Sequence, residues 1–182
     1  MARTIALLVG SLRKDSFTRK VANAIVAVTP TLSFQHIDIS KLSPYNQDLE
    51  AMPPADWVAL RDAIRPLDGL LFATPEYNRS VPGLLKNAID VGSRPYGHSV
   101  FAGKPGAVVS VSPGPFGGFG ANHHLRQMLV FLDVPCLQQP EMYIHSAGKI
   151  FDDTGKPTDG TSELFARFGA AFTAWVEHMK QR

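Results

Sequence analysis

The sequence has few of the features that identify disulfide-stabilised, zinc-binding, secreted or membrane proteins. Its only cysteine, Cys136, cannot form a disulfide within the chain, and no set of cysteine and histidine residues has zinc-ligand spacing. The N-terminal apolar run is only about six residues long, too short for a signal-peptide core or a membrane span. We therefore expect a cytoplasmic protein that does not bind membranes or a structural metal.

Charge is also sparse, because charged residues make up 19% of the chain and the formal net charge is only +2. The lysines and arginines form no stripe or block, so the pattern does not predict nucleic-acid binding. The slight excess of positive charge suits a small anionic ligand. With 45% hydrophobic residues in 182, we expect residues 1–182 to form a single globular domain.

Two common phosphate-binding fingerprints are missing. The sequence contains no G-x-G-x-x-G and no G-x-x-x-x-G-K-[ST]; Lys104, for example, follows a glycine but precedes Pro105. Neither a dinucleotide-binding Rossmann motif nor a Walker motif is therefore predicted.

Short apolar runs alternate with segments of helical periodicity along the chain. The predicted strands are Thr4–Val9, Ser33–Ile39, Gly69–Ala73, Gly106–Val111 and a short strand within Pro135–Tyr143. The predicted helices are Phe17–Val28, Asp56–Arg65, Pro82–Ser93, Ala121–Leu132 and Ser162–Lys180, and Ser40–Pro54 is a proline-rich loop. This alternation predicts an α/β fold, a parallel sheet with helices on both faces.

Three loops at the ends of predicted strands are rich in glycine, proline, hydroxyl and aromatic residues. They read GSLRKDSFT, TPEYNRS and SPGPFGG, after the first, third and fourth strands. Ligands of such sheets bind outside the carboxyl ends of the strands, where the strand order reverses. We therefore expect the three loops to share one site.

The first loop has two interpretations. Ser11, Ser16 and Thr18 could donate to phosphate oxygens and Arg13 could bind one as a planar fork, at a helix start that favours an anion. Alternatively, the segment is an ordinary turn in which Ser16 caps the helix. The loop alone does not decide between them.

The other two loops favour a flat ligand. Prolines stiffen TPEYNRSVPG, its backbone amides could meet a ring edge, and the glycines of SPGPFGG would let the backbone approach a ring closely. The alternative is that both are simple glycine-rich turns. A phosphate at one loop and planar walls at two others predict a flavin mononucleotide (FMN) site.

Four stretches of the chain carry a family resemblance, namely GSLRKDSFTRKVA, ATPEYNRSVPGLLKNAID, GGFGANHHLRQMLVFLDV and the QPE that follows. Together they resemble the NADPH-dependent FMN reductase family, and within it the bacterial chromate and quinone reductases. The resemblance implies a flavodoxin-like fold, with a five-stranded parallel sheet in the order 2-1-3-4-5 and helices on both faces. It also implies noncovalent FMN and a homodimer or homotetramer.

The family's cofactor-binding positions fall on twelve residues of this chain. They are Ser11, Arg13, Ser16, Phe17, Thr18, Pro75, Glu76, Tyr77, Asn78, Ser112, Gly117 and Gly118. The chain departs from the family at Thr18, where an asparagine is frequent, and at Arg79, where an aromatic residue is frequent. Arg79 is a hypothetical ligand of the nicotinamide cofactor's phosphates, and the alternative is a solvated surface arginine. Arg126 and Glu141 match positions linked to subunit contacts.

The resemblance implies an oxidoreductase that passes hydride from NADPH or NADH through FMN to quinones, metal oxyanions such as chromate, azo compounds or free flavin. Because the flavin supplies the hydride chemistry, no catalytic side chain is expected. We interpret His123 and His124 as helix-start or interface residues and Cys136 as a structural thiol. The competing hypothesis is a flavodoxin-like electron carrier, or a flavin-binding module, without its own substrate turnover.

Overall fold

The apolar runs form one parallel sheet in the computed structural model, which describes residues 2–181. Its strands are β1 (Arg3–Val9), β2 (Leu32–Ile37), β3 (Gly69–Pro75), β4 (Gly106–Val111) and β5 (Met142–Ile144). They pair in the order β2-β1-β3-β4-β5, and all four pairings are parallel. The predicted five-stranded sheet and its order are confirmed.

The burial of each strand follows from its place in the sheet. Every residue of β4 is buried, and so is every residue of β3 before Pro75, because helices cover both faces of the central strands. The strand β2 pairs only with β1, and its central residues are partly or fully exposed. Continuous apolar runs therefore mark the centre of this sheet, and the polar strand marks its edge.

Five α-helices connect and cover the strands. They are α1 (Phe17–Ala27), α2 (Ala55–Ile64), α3 (Gly83–Gly92), α4 (Phe119–Phe131) and α5 (Asp159–Lys180). The helix α5 begins three residues before the predicted Ser162, because the N–H of Ser162 already donates to the carbonyl of Thr158 at 2.8 Å. The predicted loop 40–54 contains one short 3₁₀ turn, Gln47–Leu49.

Two apolar cores lie on opposite faces of the sheet. On one face α1 and α5 bury Ile25, Phe168 and Phe172 against the sheet. On the other face α2 and α4 contribute Trp57 and Leu125. Each fully buried side chain of this size stabilises the fold by about 1.5–3 kcal/mol, so the helices are held by their apolar faces.

The fifth strand lies at the end of its predicted window and extends one residue beyond it. Only Met142 and Tyr143 fall within the predicted 135–143 segment, and the strand runs on to Ile144. Residues 135–137 instead straddle the start of β4, where Gly106 donates to Pro135 and accepts from Leu137. This position brings the end of β5 beside the β4–α4 loop, where Ser112 N–H donates to the Ile144 carbonyl at 2.9 Å.

The sheet order places a switch point between β1 and β3. The chain leaves β1 for β2 on one side, whereas β3 lies on the other side of β1. The loops after β1, β3 and β4 therefore meet at one end of the sheet. None of the helices within residues 2–181 has the length and apolar character needed to cross a membrane.

Candidate functional site at the carboxyl ends of the strands

A cavity of about 210 Å³ opens at this switch point. Its lining residues come from all three loops and are Ser11, Arg13, Ser16, Phe17, Thr18, Pro75, Glu76, Tyr77, Val111, Ser112 and Pro113. Of the predicted cofactor-binding residues, only Asn78, Gly117 and Gly118 lie outside this lining. The expectation that the three loops share one site therefore agrees with the geometry.

The loop between β1 and α1 presents unused hydrogen-bond donors to the cavity. Ser11 and Thr18 are only 4% and 3% exposed, and within residues 2–181 their hydroxyl groups have no hydrogen-bond partner. The backbone N–H groups of residues 12–14, Phe17 and Thr18 likewise meet no acceptor in this part of the chain. Donors at a helix start that aim into a cavity suit an anion.

Ser16 fulfils the alternative interpretation of this loop without excluding the first. Its Oγ accepts the N–H of Arg19 at 3.2 Å and so caps α1. The capped helix leaves the N–H groups of Phe17 and Thr18 without a backbone acceptor beside the cavity, so capping is compatible with anion binding. Arg13 is exposed at the cavity wall and has no ion-pair partner among residues 2–181.

Sequence reasoning missed Arg19, which supports the same loop from behind. Its Nη2 donates to the carbonyl of Ser11 at 3.3 Å, and its Nη1 lies 2.9 Å from Nε2 of His36 on β2. Burial and the nearby guanidinium lower the pKa of His36. The only sequence signal for this role was the position of Arg19 in the first turn of α1. Recognising it would have required knowing that β2, which carries His36, lies beside this turn.

The loop after β3 folds as a tight turn whose base is closed by two hydrogen bonds. Tyr77 N–H donates to Ser80 at 2.9 Å and Ser80 N–H donates to Tyr77 at 3.0 Å. The two residues between them, Asn78 and Arg79, have φ of 51° and 64°. Because Asn78 is at the exposed tip, it lies away from the cavity that Pro75, Glu76 and Tyr77 line.

Glu76 joins this turn to the loop after β4. Its Oε2 accepts the N–H of Ala121 in α4 at 2.9 Å, and its Oε1 lies 3.6 Å from Nη1 of Arg79. The Arg79 guanidinium also lies 5.2 Å above the ring of Phe116. Glu76 therefore binds one loop to the other at the wall of the cavity.

The glycines of the third loop pack against protein. Gly117 and Gly118 have φ of 59° and 75° and are buried. A Cβ on Gly117 would lie 2.6 Å from the carbonyl carbon of Tyr143, and the Gly117 carbonyl accepts from Ser110 Oγ at 2.7 Å. Asn122 donates to the same Ser110 hydroxyl at 3.2 Å. This close approach to β5 is the visible reason for glycine here.

The remaining singled-out polar residues have partners within the chain. His124 contacts Ser80, and His123 contacts the Tyr143 hydroxyl, each at 3.0 Å. That hydroxyl donates to Glu141 at 2.8 Å, and burial together with this hydrogen bond raises the pKa of Tyr143 to about 12. The two histidines thus lie at the start of α4, as interpreted from the sequence.

Arg126 lies within α4, and Cys136 lies in the segment that follows this helix. Arg126 donates to Asn122 at 2.9 Å and to the Leu137 carbonyl at 3.0 Å. Burial raises the pKa of the Cys136 thiol to about 11. A thiol with this pKa is protonated at neutral pH and is a poor nucleophile, which agrees with a structural cysteine.

Comparison with known proteins identifies the family. The model of a family described as NADPH-dependent FMN reductase matches residues 3–149. The chain belongs to the NADPH-dependent FMN reductase family. A quinone reductase of Pseudomonas putida is 56% identical over 176 residues, which cover 96% of this chain and 95% of that protein. A 2-hydroxy-1,4-benzoquinone reductase of a Burkholderia species is 43% identical and covers 97% of both chains.

Solved structures agree with this assignment to the FMN reductase family. The flavoenzyme FerB, an NAD(P)H:(acceptor) oxidoreductase of Paracoccus denitrificans, superposes with a TM-score of 0.91 at 38% identity and covers 97% of this chain and 98% of that one. A flavodoxin from the domain Archaea, at 13% identity and a TM-score of 0.59, shares the fold alone. The fold is therefore flavodoxin-like, as the sequence predicted.

Proposed function

We propose that this chain is an FMN-dependent NAD(P)H oxidoreductase that reduces quinones. The proposal rests above all on the cavity at the switch point, whose unused donors and open end suit a phosphate joined to a flat ring system. The relatives named as quinone reductases, which match nearly the whole chain, support quinones as the acceptor class. Metal oxyanions such as chromate, azo compounds and free flavin are further proposed acceptors.

The residues at the β1–α1 loop fit the phosphate of FMN. The hydroxyls of Ser11 and Thr18 and the free N–H groups at the start of α1 would hold its oxygens, while Arg13 would supply positive charge. Among residues 2–181 the one acidic residue of the cavity lining is Glu76, which lies on the second loop and accepts the N–H of Ala121. The donor set therefore matches a dianion.

The other two loops would orient the ring system. Pro75, Tyr77, Ser112 and Pro113 line the cavity beyond the phosphate end, and Glu76 keeps their two loops together. Bound FMN supplies the hydride chemistry, while the chain binds, orients and partly shields it. The exposed rings of Tyr77 and Phe116 leave apolar surface near this opening, which suits aromatic substrates.

Extraction of the bound cofactor tests the first part of the proposal. Protein purified from cells without added flavin should release FMN, because the site offers a nest for one monophosphate and the chain has no adenylate-binding fingerprint. Chromatography of the heat-released cofactor against FMN, FAD and riboflavin standards measures this. FAD as the dominant species would contradict the assignment.

An electron carrier is the competing function, since flavodoxins share the fold. The net charge of +2 favours the enzyme, because carriers that dock on basic partners need an acidic surface. Mixing the FMN-loaded protein with NADPH in air distinguishes the two. An enzyme bleaches quickly and consumes NADPH continuously, whereas the flavin of a carrier stays oxidised.

Steady-state rates with each acceptor define the substrate. Varying NADPH at several quinone concentrations should give parallel double-reciprocal lines, because one substrate must leave before the next one reaches the same opening. The same measurements with NADH, chromate and an azo dye rank the alternatives. Intersecting lines would show that both substrates bind together and would refute the single shared opening.

A further inference from the structure

Arg79 occupies a position that the backbone makes unfavourable for it. It is the second central residue of the turn between Tyr77 and Ser80, and both central residues are left-handed. Turns of this type favour Asn-Gly, because the second position accepts a side chain only with strain. Asn78 follows the preference, and Arg79 does not. Strained residues of this kind concentrate at functional sites.

The side chain of Arg79 is held between two loops beside the cavity. Its Nη1 lies 3.6 Å from Oε1 of Glu76, which lines the cavity, and its guanidinium lies 5.2 Å above the ring of Phe116. The side chain is nevertheless 71% exposed. One edge of the guanidinium therefore faces a carboxylate, one face lies on a ring, and the remaining donors point to solvent.

This arrangement suits an anion outside the cavity. A guanidinium has five N–H donors in a rigid plane, and stacking on a ring reduces the motion that binding would otherwise have to remove. Arg13 lines the cavity at the β1–α1 loop, whereas Arg79 contacts the two loops that line its other part. The two cations are therefore available to two different anionic groups.

We propose that Arg79 binds the diphosphate of the nicotinamide dinucleotide and that Phe116 positions it. The inference rests on the proposed function, in which the dinucleotide is the anionic substrate and a quinone is neutral. Arg79 then determines the efficiency of the reaction with NAD(P)H and has no part in the reaction with the quinone. The strained turn places the guanidinium beside the cavity, against Glu76 and Phe116.

Separate kinetic constants for the two substrates test this assignment. In FMN-loaded Arg79→Gln, kcat/KM for NADPH and for NADH should both fall about three- to tenfold, the range between an exposed ion pair and a charge-assisted hydrogen bond. The value for a neutral quinone should be unchanged. Raising the ionic strength should lower kcat/KM for NADPH in the wild type and have a smaller effect in the variant.

Further variants separate charge, stacking and general damage. Arg79→Lys keeps the charge but lacks the planar guanidinium. Its kcat/KM for the dinucleotides should therefore fall less than that of Arg79→Gln. Phe116→Leu should raise KM for the dinucleotides, since it removes the ring on which the Arg79 guanidinium stacks and keeps an apolar side chain there. Arg167→Gln, at an exposed arginine of α5 away from the cavity lining, should match the wild type.

Several results would overturn the inference. One is an unchanged kcat/KM for both dinucleotides in Arg79→Gln, and another is a fall in kcat/KM for the quinone instead. A third is a fall in kcat/KM for NADPH but not for NADH, which would place the contact at the 2′-phosphate of NADPH. In each of these cases the wild type still turns over and the proposed function stands. A wild-type protein that oxidises neither dinucleotide would instead refute the proposed function, and the inference with it.

Discussion

Replacing Gly117 by alanine should destabilise the protein through two separable effects. The left-handed φ of 59° costs an alanine about 1–2 kcal/mol. The added Cβ would also lie 2.6 Å from the carbonyl carbon and 2.7 Å from the carbonyl oxygen of Tyr143. These atoms belong to the backbone of β5 and move only with the strand, so overpacking adds about 1–3 kcal/mol.

The two effects together lower the free energy of unfolding by about 2–5 kcal/mol, which for a chain of this length is a fall in Tm of about 4–20 °C. Calorimetry of the variants at equal protein concentration and equal flavin occupancy measures this, because bound flavin would itself raise Tm. Gly103→Ala isolates the backbone cost, since Gly103 has a φ of 73° and open space around its missing Cβ.

A second control, Gly83→Ala, removes both effects. Gly83 opens α3, an added Cβ there would have no neighbouring atom within 4 Å, and its replacement should be neutral or slightly stabilising. The fall in Tm should therefore increase in the order Gly83→Ala, Gly103→Ala, Gly117→Ala. If Gly117→Ala and Gly103→Ala lower Tm by the same amount, the close contact with Tyr143 does not affect stability and the explanation is wrong.

Three further predictions concern the cofactor, the thiol and the assembly. Arg13→Ala should weaken FMN binding about five- to tenfold, a value between an exposed ion pair and a charge-assisted hydrogen bond, because Arg13 is exposed; unchanged affinity in a fluorescence titration would show that it points to solvent. Cys136→Ser should retain most activity, and alkylation of the wild-type thiol should accelerate only as the pH approaches its pKa of about 11; rapid labelling at neutral pH would contradict this. Light scattering should give at least a dimer, because Val130 and Phe131 of α4 are 80% and 75% exposed and need cover; a mass near 19.8 kDa at micromolar concentration would refute it.

The local sequence pattern was sufficient to predict the helices and strands and to recognise the resemblance to the family. Buried strands such as Gly106–Val111 read as unbroken apolar runs, and the ends of most helices differ from prediction by one or two residues. The fifth strand was predicted only to within a nine-residue window, which it exceeds by one residue, because it has only three residues and its position depends on pairing with β4. Pairing between distant segments leaves no periodic signal in so short a strand.

The sequence by itself predicted the loops after β1, β3 and β4 as the site, because residue type and the order of strands along the chain can be read locally. Only the tertiary structure decided how single residues divide their contacts. Glu76 serves both Ala121 and Arg79, Arg19 supports the Ser11 carbonyl, and Gly117 adjoins β5. The contacts of Glu76 with Ala121 and of Gly117 with Tyr143 join different segments of the chain, and their geometry exists only once the sheet has brought those segments together.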